Sequence, residues 1–370
     1  MKRVVLLGYY GFNNAGDEAI LYSIIRSLKQ RDKKIQITVL SHQPEKTMKT
    51  FGVDAKNRWK WNEILSTLLT HDVLVFGGGS LLQDVTSVRS LHYYLGIANL
   101  AIFLRKKVYF MGQGIGPFKS VQSQKKVVNT LNKVDVITLR DVESKQALLD
   151  LGVRKPKLEL TADAVLSLYR HEIEKIPGEK VLDRNGIDEV KREKCIGLSV
   201  RDWGNLSNYK HVLAKLGDYW VEQGYHLVLI PFHFPDDVTS ARDVAKAMDR
   251  PVTVLKEVYS TIEMLGIIGN MKMLIGMRLH SLIMATVMAV PAIGLSYDPK
   301  IEASIKETGQ ILGGRVENLD LDRLVHLSTE LLHHQTDYSE KLIDSSAQLR
   351  TRSRRNLDIL MDMLEGSSHE

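Results

Sequence analysis

Short runs of β-branched and other apolar residues alternate along this chain with longer segments whose apolar positions recur every three to four residues. Arg3–Leu7, Ile35–Leu40, Asp72–Phe76, Lys107–Phe110 and Asp135–Leu139 have the length and composition of buried strands. Helical periodicity fills the intervals at Asp17–Gln30, Leu91–Arg105, Val121–Asn132 and Val142–Leu151. Alternation of this kind predicts a parallel sheet with helices on both faces. The pattern weakens between Arg170 and Lys194, where charges, Pro177 and Gly178 dominate. It restarts with strands predicted at Cys195–Val200, His226–Ile230, Val252–Leu255, Met273–Ile275 and Ala292–Leu295. Helices are predicted between them near Asn208–Gln223, Asp236–Met248, Ser260–Gly269 and Leu279–Ala289.

The expected fold class is therefore α/β, with two doubly wound Rossmann-like domains at 1–170 and 195–337 joined by a linker at 171–194. Two terminal helices, Asp320–His334 and Tyr338–Leu364, follow, and the segment 338–370 is expected to return to the N-terminal domain. Open α/β sheets bind ligands beyond the carboxyl ends of their strands, so two such sheets predict a cleft lined by strand-end loops.

Composition narrows the classes. A length of 370 residues exceeds what one ordinary core supports and suits two domains. The net charge of +6 is dispersed along the chain, and no nucleic-acid partner is expected. The one dense basic run, Arg350, Arg352, Arg354 and Arg355, falls in a terminal helix, where a solvated face and contact with acidic lipid headgroups are both open. The single cysteine, Cys195, excludes an internal disulfide and belongs to a strand, and no metal site is expected. Val4–Leu7 is too short for a signal-peptide core. The longest apolar run, Ser281–Val290, stops at Pro291, short of the ~18 residues that suggest a membrane span. A cytoplasmic protein is expected, with peripheral contact at a membrane open.

Candidate chemistry sits at the strand ends. Arg278, His280 and Lys300 lie in one unit where apolar runs give way to turns or helices, and they suggest a small acidic substrate. Arg140 and Arg201 repeat the strand-end cation in each half, each followed by an aspartate, Asp141 or Asp202, that offers an ordinary ion pair instead. The turn Gly8–Glu18 follows the first strand and opens a helix, but it lacks the spacing of a dinucleotide fingerprint and the lysine of a P-loop. Within it Asp17 is a candidate for proton transfer and equally for helix capping. Gly77–Gly79 suits either close approach of a ligand or tight helix packing, and Gly112–Phe118 suits a rigid loop at the same edge. His233, in Pro231–Asp237, is either a substrate contact or an ordinary loop histidine.

Taken together in order, Gly11–Glu18, Gly77–Gly79, Gly112–Phe118, Leu139–Asp141, Pro231–Asp237, Met277–His280 and Tyr297–Lys300 resemble the polysaccharide pyruvyl transferase family. The resemblance runs from Val4 to about Ile305 and is strongest to bacterial enzymes that place a pyruvate ketal on N-acetylmannosamine of a secondary cell-wall polysaccharide, the anchor of S-layer proteins. It implies a glycosyltransferase-B-type fold, phosphoenolpyruvate as donor, a lipid-diphosphate-linked amino-sugar disaccharide as acceptor, and no cofactor. On this basis Arg140, Arg201, Arg278 and Lys300 are expected to bind the donor, and Phe12, Asn14, Gly77, Gly78 and His233 the acceptor. Asp17 and His280 are expected to move the protons. A nucleotide-sugar glycosyltransferase is the main alternative, although Gln310 stands eight residues after Glu302 where retaining members of that class often carry a second glutamate. A non-catalytic polyanion-binding protein is the other.

Overall fold

A computed structural model describes residues 2–85 and 87–366, with the side chains of residues 299 and 300 outside the description. The chain forms two compact units. The first takes in the chain up to Phe12, Asp17–Ser167 and the chain from Leu349; the second takes in Asn13–Gly16 and Leu168–Gln348.

In the first unit, seven strands form one parallel sheet: β1 (Arg3–Leu7), β2 (Gln36–Ser41), β3 (Asp54–Asn57), β4 (Val73–Leu82), β5 (Lys107–Ile115), β6 (Val136–Leu139) and β7 (Lys157–Leu160). Their order is β3-β2-β1-β4-β5-β6-β7, which reverses direction between β1 and β4. Val4–Leu7 and Val73–Phe76 are buried on both faces, as the central strands of a doubly covered sheet must be. Leu7 pairs with Leu40 on one side and Phe76 on the other, so the loops after β1, β2 and β4 emerge at one edge.

The second unit repeats the plan with six parallel strands, β8 (Cys195–Ser199), β9 (His226–Leu229), β10 (Thr253–Val254), β11 (Met273–Gly276), β12 (Ala292–Ser296) and β13 (Ile311–Arg315), in the order β10-β9-β8-β11-β12-β13. Ser199 pairs with Gly276, which aligns the ends of β8 and β11 at the reversal point, the place where doubly wound sheets bind ligands. The helix Leu279–Met288 is buried from Ser281 onward, so only its first turn, with His280, is open to water. Cys195 is a buried strand residue whose thiol is pushed up to about 12 by burial, so it is not a nucleophile near neutral pH.

Several elements depart from the sequence expectations for physical reasons. β4 and β5 do not turn at Phe76 and Phe110; they continue through their glycines with shifts in register, and Gly78, Gly79 and Gly112 take positive φ to allow it. β3, β7 and β13 escape the hydrophobic pattern because they are edge strands carrying charge. The stretch expected as a linker holds the helices Ile176–Arg184 and Glu189–Arg192. Gly178 there is a packing glycine: a Cβ on it would lie 2.2 Å from the backbone of Gly266, in the helix Thr261–Gly269. The last helix spans Gln335–Glu365, and its residues from Leu349 belong to the first unit. There Asn356, 2% exposed, bonds Thr138, Thr161 and Ala162. In the basic run, Arg355 pairs with Glu159 at 2.6 Å and Arg352 donates to the Thr161 carbonyl, so these side chains pack into the first unit. No helix among the described residues is long and apolar enough to cross a membrane.

Candidate active site

The short segment Asn13–Gly16, just after β1, is held by the second unit through its backbone. Asn14 forms an antiparallel bridge with His233, Ala15 N–H donates to the Phe232 carbonyl at 2.7 Å, and Phe234 N–H donates to the Asn13 carbonyl at 3.2 Å. Gly16 packs so closely on the His280 ring that a Cβ would sit 2.3 Å from Nδ1, so no other residue fits there without displacing the imidazole. Asn14 Oδ1 accepts from Gly16 N–H at 3.0 Å at the start of the helix Ala15–Arg31. The residue preceding the helix is therefore Asn14, and Asp17 lies within the first turn, which removes simple N-capping as its role.

Asp237 organises the neighbouring loop. It is 1% exposed and accepts from the backbone N–H groups of Phe232 (3.1 Å) and His233 (2.9 Å). Arg278 closes on it in a two-pronged pair, with Nε at 2.9 Å and Nη2 also bonded. The charge of Arg278, expected from the sequence to meet an anionic donor, is thus already paired with Asp237; Nη1 is the nitrogen left outside the pair. His233 sits 3.2 Å from Asp236 through Nδ1, and burial, then the Arg278 charge, holds its pKa below the usual imidazole value. Near pH 7 it is a neutral hydrogen-bonding group. Asn14, Gly16, His233, Arg278 and His280, scattered over the sequence, are brought into one constellation.

Arg201 follows β8. The expected pairing with Asp202 is absent: that carboxylate bonds Lys210 at 2.5 Å, while Arg201 lies over the rings of Trp203 and Tyr297 and donates to the Tyr297 hydroxyl at 3.1 Å. Among the described residues no carboxylate pairs with it. The side chain of Lys300, in the first turn of the helix Pro299–Thr308, lies outside the described residues.

In the first unit, Arg140 is 8% exposed, with Asp163 at 3.3 Å, Asp141 at 3.6 Å and Ser80 at 3.2 Å, so its charge is already compensated rather than offered to an anionic donor. Gly77 and Gly78 are packing positions: Cβ atoms there would strike the Tyr10 hydroxyl at 2.2 Å and Ile20 at 2.8 Å. Gly79 is the glycine that faces Asp17, whose Oδ1 lies 3.3 Å from the position of its missing Cβ. Phe12 is stacked on Tyr9 at 4.2 Å and on His42 at 4.5 Å; parallel rings that close can lie only on its opposite faces, so neither face is left for an acceptor.

Sequence reasoning missed Glu18. Its Oε1 accepts from Gly11 N–H at 2.8 Å, and its pKa is pushed up to about 7, first by burial and then by the neighbouring Asp17 charge, against that hydrogen bond and Lys46. Nothing local in the sequence signals this, because the shift comes from burial. The folded protein binds this proton more tightly than the unfolded chain, so the stabilisation is full below about pH 4.5 and is lost as pH rises to about 7. The loss is on the order of 3 kcal/mol. Denaturant melts across that window should show wild type losing stability relative to Glu18→Gln; parallel curves would contradict the assignment. Among the described residues no group of three or more His, Cys, Asp or Glu is arranged to hold a metal.

The family described as polysaccharide pyruvyl transferase matches residues 14–299. Amylovoran biosynthesis protein AmsJ of Erwinia amylovora is 21% identical over 365 residues, covering 83% of this chain and 86% of that protein. Among solved structures, Anabaena Alr3699/HepE in complex with UDP-glucose aligns over 100% of both chains with a TM-score of 0.66 and 12% identity. UDP-GlcNAc 2-epimerase from Neisseria meningitidis bound to UDP-GlcNAc aligns over 98% of this chain and 100% of its own, with a TM-score of 0.67 and 12% identity. Identities this low speak for the fold, which is of the glycosyltransferase-B type, with two parallel-sheet α/β domains. The match across most of its length establishes that the chain belongs to the polysaccharide pyruvyl transferase family.

Proposed function

We propose that the protein transfers pyruvate from phosphoenolpyruvate to two hydroxyls of N-acetylmannosamine in a lipid-diphosphate-linked disaccharide, forming a cyclic ketal for a cell-wall polysaccharide. The observation that carries this reading is the gathering of Asn14, His233, Arg278 and His280 around Gly16 and Asp237, beside an Arg201 with no carboxylate partner among the described residues. Arg201 and Lys300 neutralise the carboxylate and phosphate of the donor. Arg278, aimed by Asp237, adds a hydrogen bond through Nη1.

His280 gives a proton to the methylene carbon of phosphoenolpyruvate, histidine being the side chain suited to proton exchange near neutral pH. The enol carbon becomes electrophilic, one sugar hydroxyl adds to it, and Asp17 takes the hydroxyl proton. Phosphate then leaves with the electron pair of its C–O bond, and the second hydroxyl closes the ring as it loses its proton. Over the whole cycle one hydroxyl proton ends in the new methyl group and the other leaves with phosphate, so no oxidant or reductant is needed. The acceptor's lipid would bring the protein to a membrane surface from the cytoplasmic side. The glycosyltransferase alternative is weakened by Gln310, which is buried and tied to Ala292, Thr286 and Val290, and by Glu302, which bonds Arg315 and Ser296.

Phosphoenolpyruvate should raise the melting temperature while UDP-sugars leave it unchanged, since a ligand at about a hundredfold over its dissociation constant adds roughly 2.7 kcal/mol. Arg201→Ala should abolish that shift. Stabilisation by UDP-sugars alone would overturn the donor assignment.

A further inference from the structure

The first unit carries an aromatic surface that the chemistry above leaves unused. Beyond the Tyr9–Phe12–His42 stack, His42 meets Trp59 edge-on at 6.4 Å and Trp59 packs on Tyr93 at 5.1 Å. These rings come from the loop after β1, the ends of β2 and β3, and the helix Val88–Phe103, so they share the carboxyl edge of the sheet. Among them lies Arg58, 2% exposed, with its guanidinium 5.2 Å from the Phe12 ring, 5.1 Å from Trp59 and 4.7 Å from Tyr93. It donates to the Gly8 carbonyl and the Tyr94 hydroxyl, its Nε has no acceptor, and among the described residues no carboxylate pairs with it. A buried cation without a counter-charge is costly, and here it is tolerated by ring faces and neutral oxygens.

Trp59 is 51% exposed, and its one polar atom is engaged: Nε1–H donates to His42 Nδ1 at 3.1 Å. The rest of the indole is ring carbon, with no polar atom left unengaged. The same bond fixes the neutral His42 tautomer, because Nδ1 accepts and the proton must sit on Nε2 as a donor. A flat apolar face beside one fixed donor suits a pyranose, whose C–H face packs on an aromatic ring while its hydroxyls take hydrogen bonds. The uncompensated positive charge of Arg58 further favours a sugar joined to phosphate.

We propose that His42 and Trp59, positioned by Arg58, form the subsite that holds a sugar ring of the diphosphate-linked acceptor. This deepens the pyruvyl-transfer reading and rests on it for the identity of the acceptor. The test is calorimetric binding of a short-alkyl diphosphate of an N-acetylmannosamine-containing disaccharide to wild type, Trp59→Ala and Trp59→Phe, with phosphoenolpyruvate affinity and melting temperature measured on the same preparations. Trp59→Ala should weaken disaccharide binding roughly tenfold or more, as loss of an aromatic anchor does. Trp59→Phe should recover most of the affinity, and donor affinity should not change. Undiminished disaccharide binding in Trp59→Ala overturns the subsite, as does Trp59-dependent binding of UMP in place of the disaccharide. If wild type forms no ketal yet its disaccharide binding depends on Trp59, the pyruvyl-transfer reading fails while the sugar subsite stands.

Discussion

Asp17→Asn should lower ketal formation by roughly 10²–10⁴-fold while leaving the fold and phosphoenolpyruvate affinity intact. Asn14 precedes the helix and binds Gly16 N–H, so the substitution does not remove that cap. Asparagine has nearly the same shape and keeps one acceptor oxygen, but it cannot take a proton from a sugar hydroxyl. Asp17 also raises the pKa of Glu18, so the variant should release part of that shift. Steady-state rates with and without saturating donor, beside a melting curve, make the comparison. Near-native turnover would remove Asp17 from the chemistry and leave His280 as the principal proton-transfer group.

Arg278→Ala should destabilise the second unit by about 3–5 kcal/mol, because it strands a carboxylate that is only 1% exposed. The consequence should reach the site, since Asp237 also receives the N–H groups of Phe232 and His233, the loop that bridges to Asn14. Arg278→Ala combined with Asp237→Asn should recover part of the lost stability, because no buried charge is then unpaired. Donor binding should stay weak in the double variant, which separates the contribution of Nη1 to phosphoenolpyruvate from the support the ion pair gives the loop. Melting temperatures and donor titrations on the two variants decide it; an Arg278→Ala protein as stable as wild type would contradict the structural half of the role.

The central strands were legible because burial on both faces writes itself as contiguous apolar runs, as in Val4–Leu7 and Met273–Ile275. Edge strands such as Lys157–Leu160 were not, since half-exposed residues carry no such signature. Glycines misled in a particular way: Gly77 and Gly78 announce a close approach, but what approaches is Tyr10 and Ile20. The candidate site residues stood out in the sequence as strand-end cations and turn polar groups, whereas among their partners only an adjacent one such as Asp141 beside Arg140 was legible. Asp237 stands 41 positions before Arg278, and Gly16 meets a histidine far along the chain, so neither pairing has a local signal. Arg58 was invisible for the same reason, being one arginine among many until folding encloses it in rings.

The most direct measurement is to incubate the purified protein with phosphoenolpyruvate and a soluble alkyl-diphosphate disaccharide containing N-acetylmannosamine, following product mass and free phosphate together. The account predicts that the acceptor gains the mass of one pyruvate ketal for each phosphate released, and that Asp17→Asn suppresses both signals equally. Absence of any mass gain from phosphoenolpyruvate, with transfer of a hexose from a UDP-sugar to the same acceptor, would contradict it.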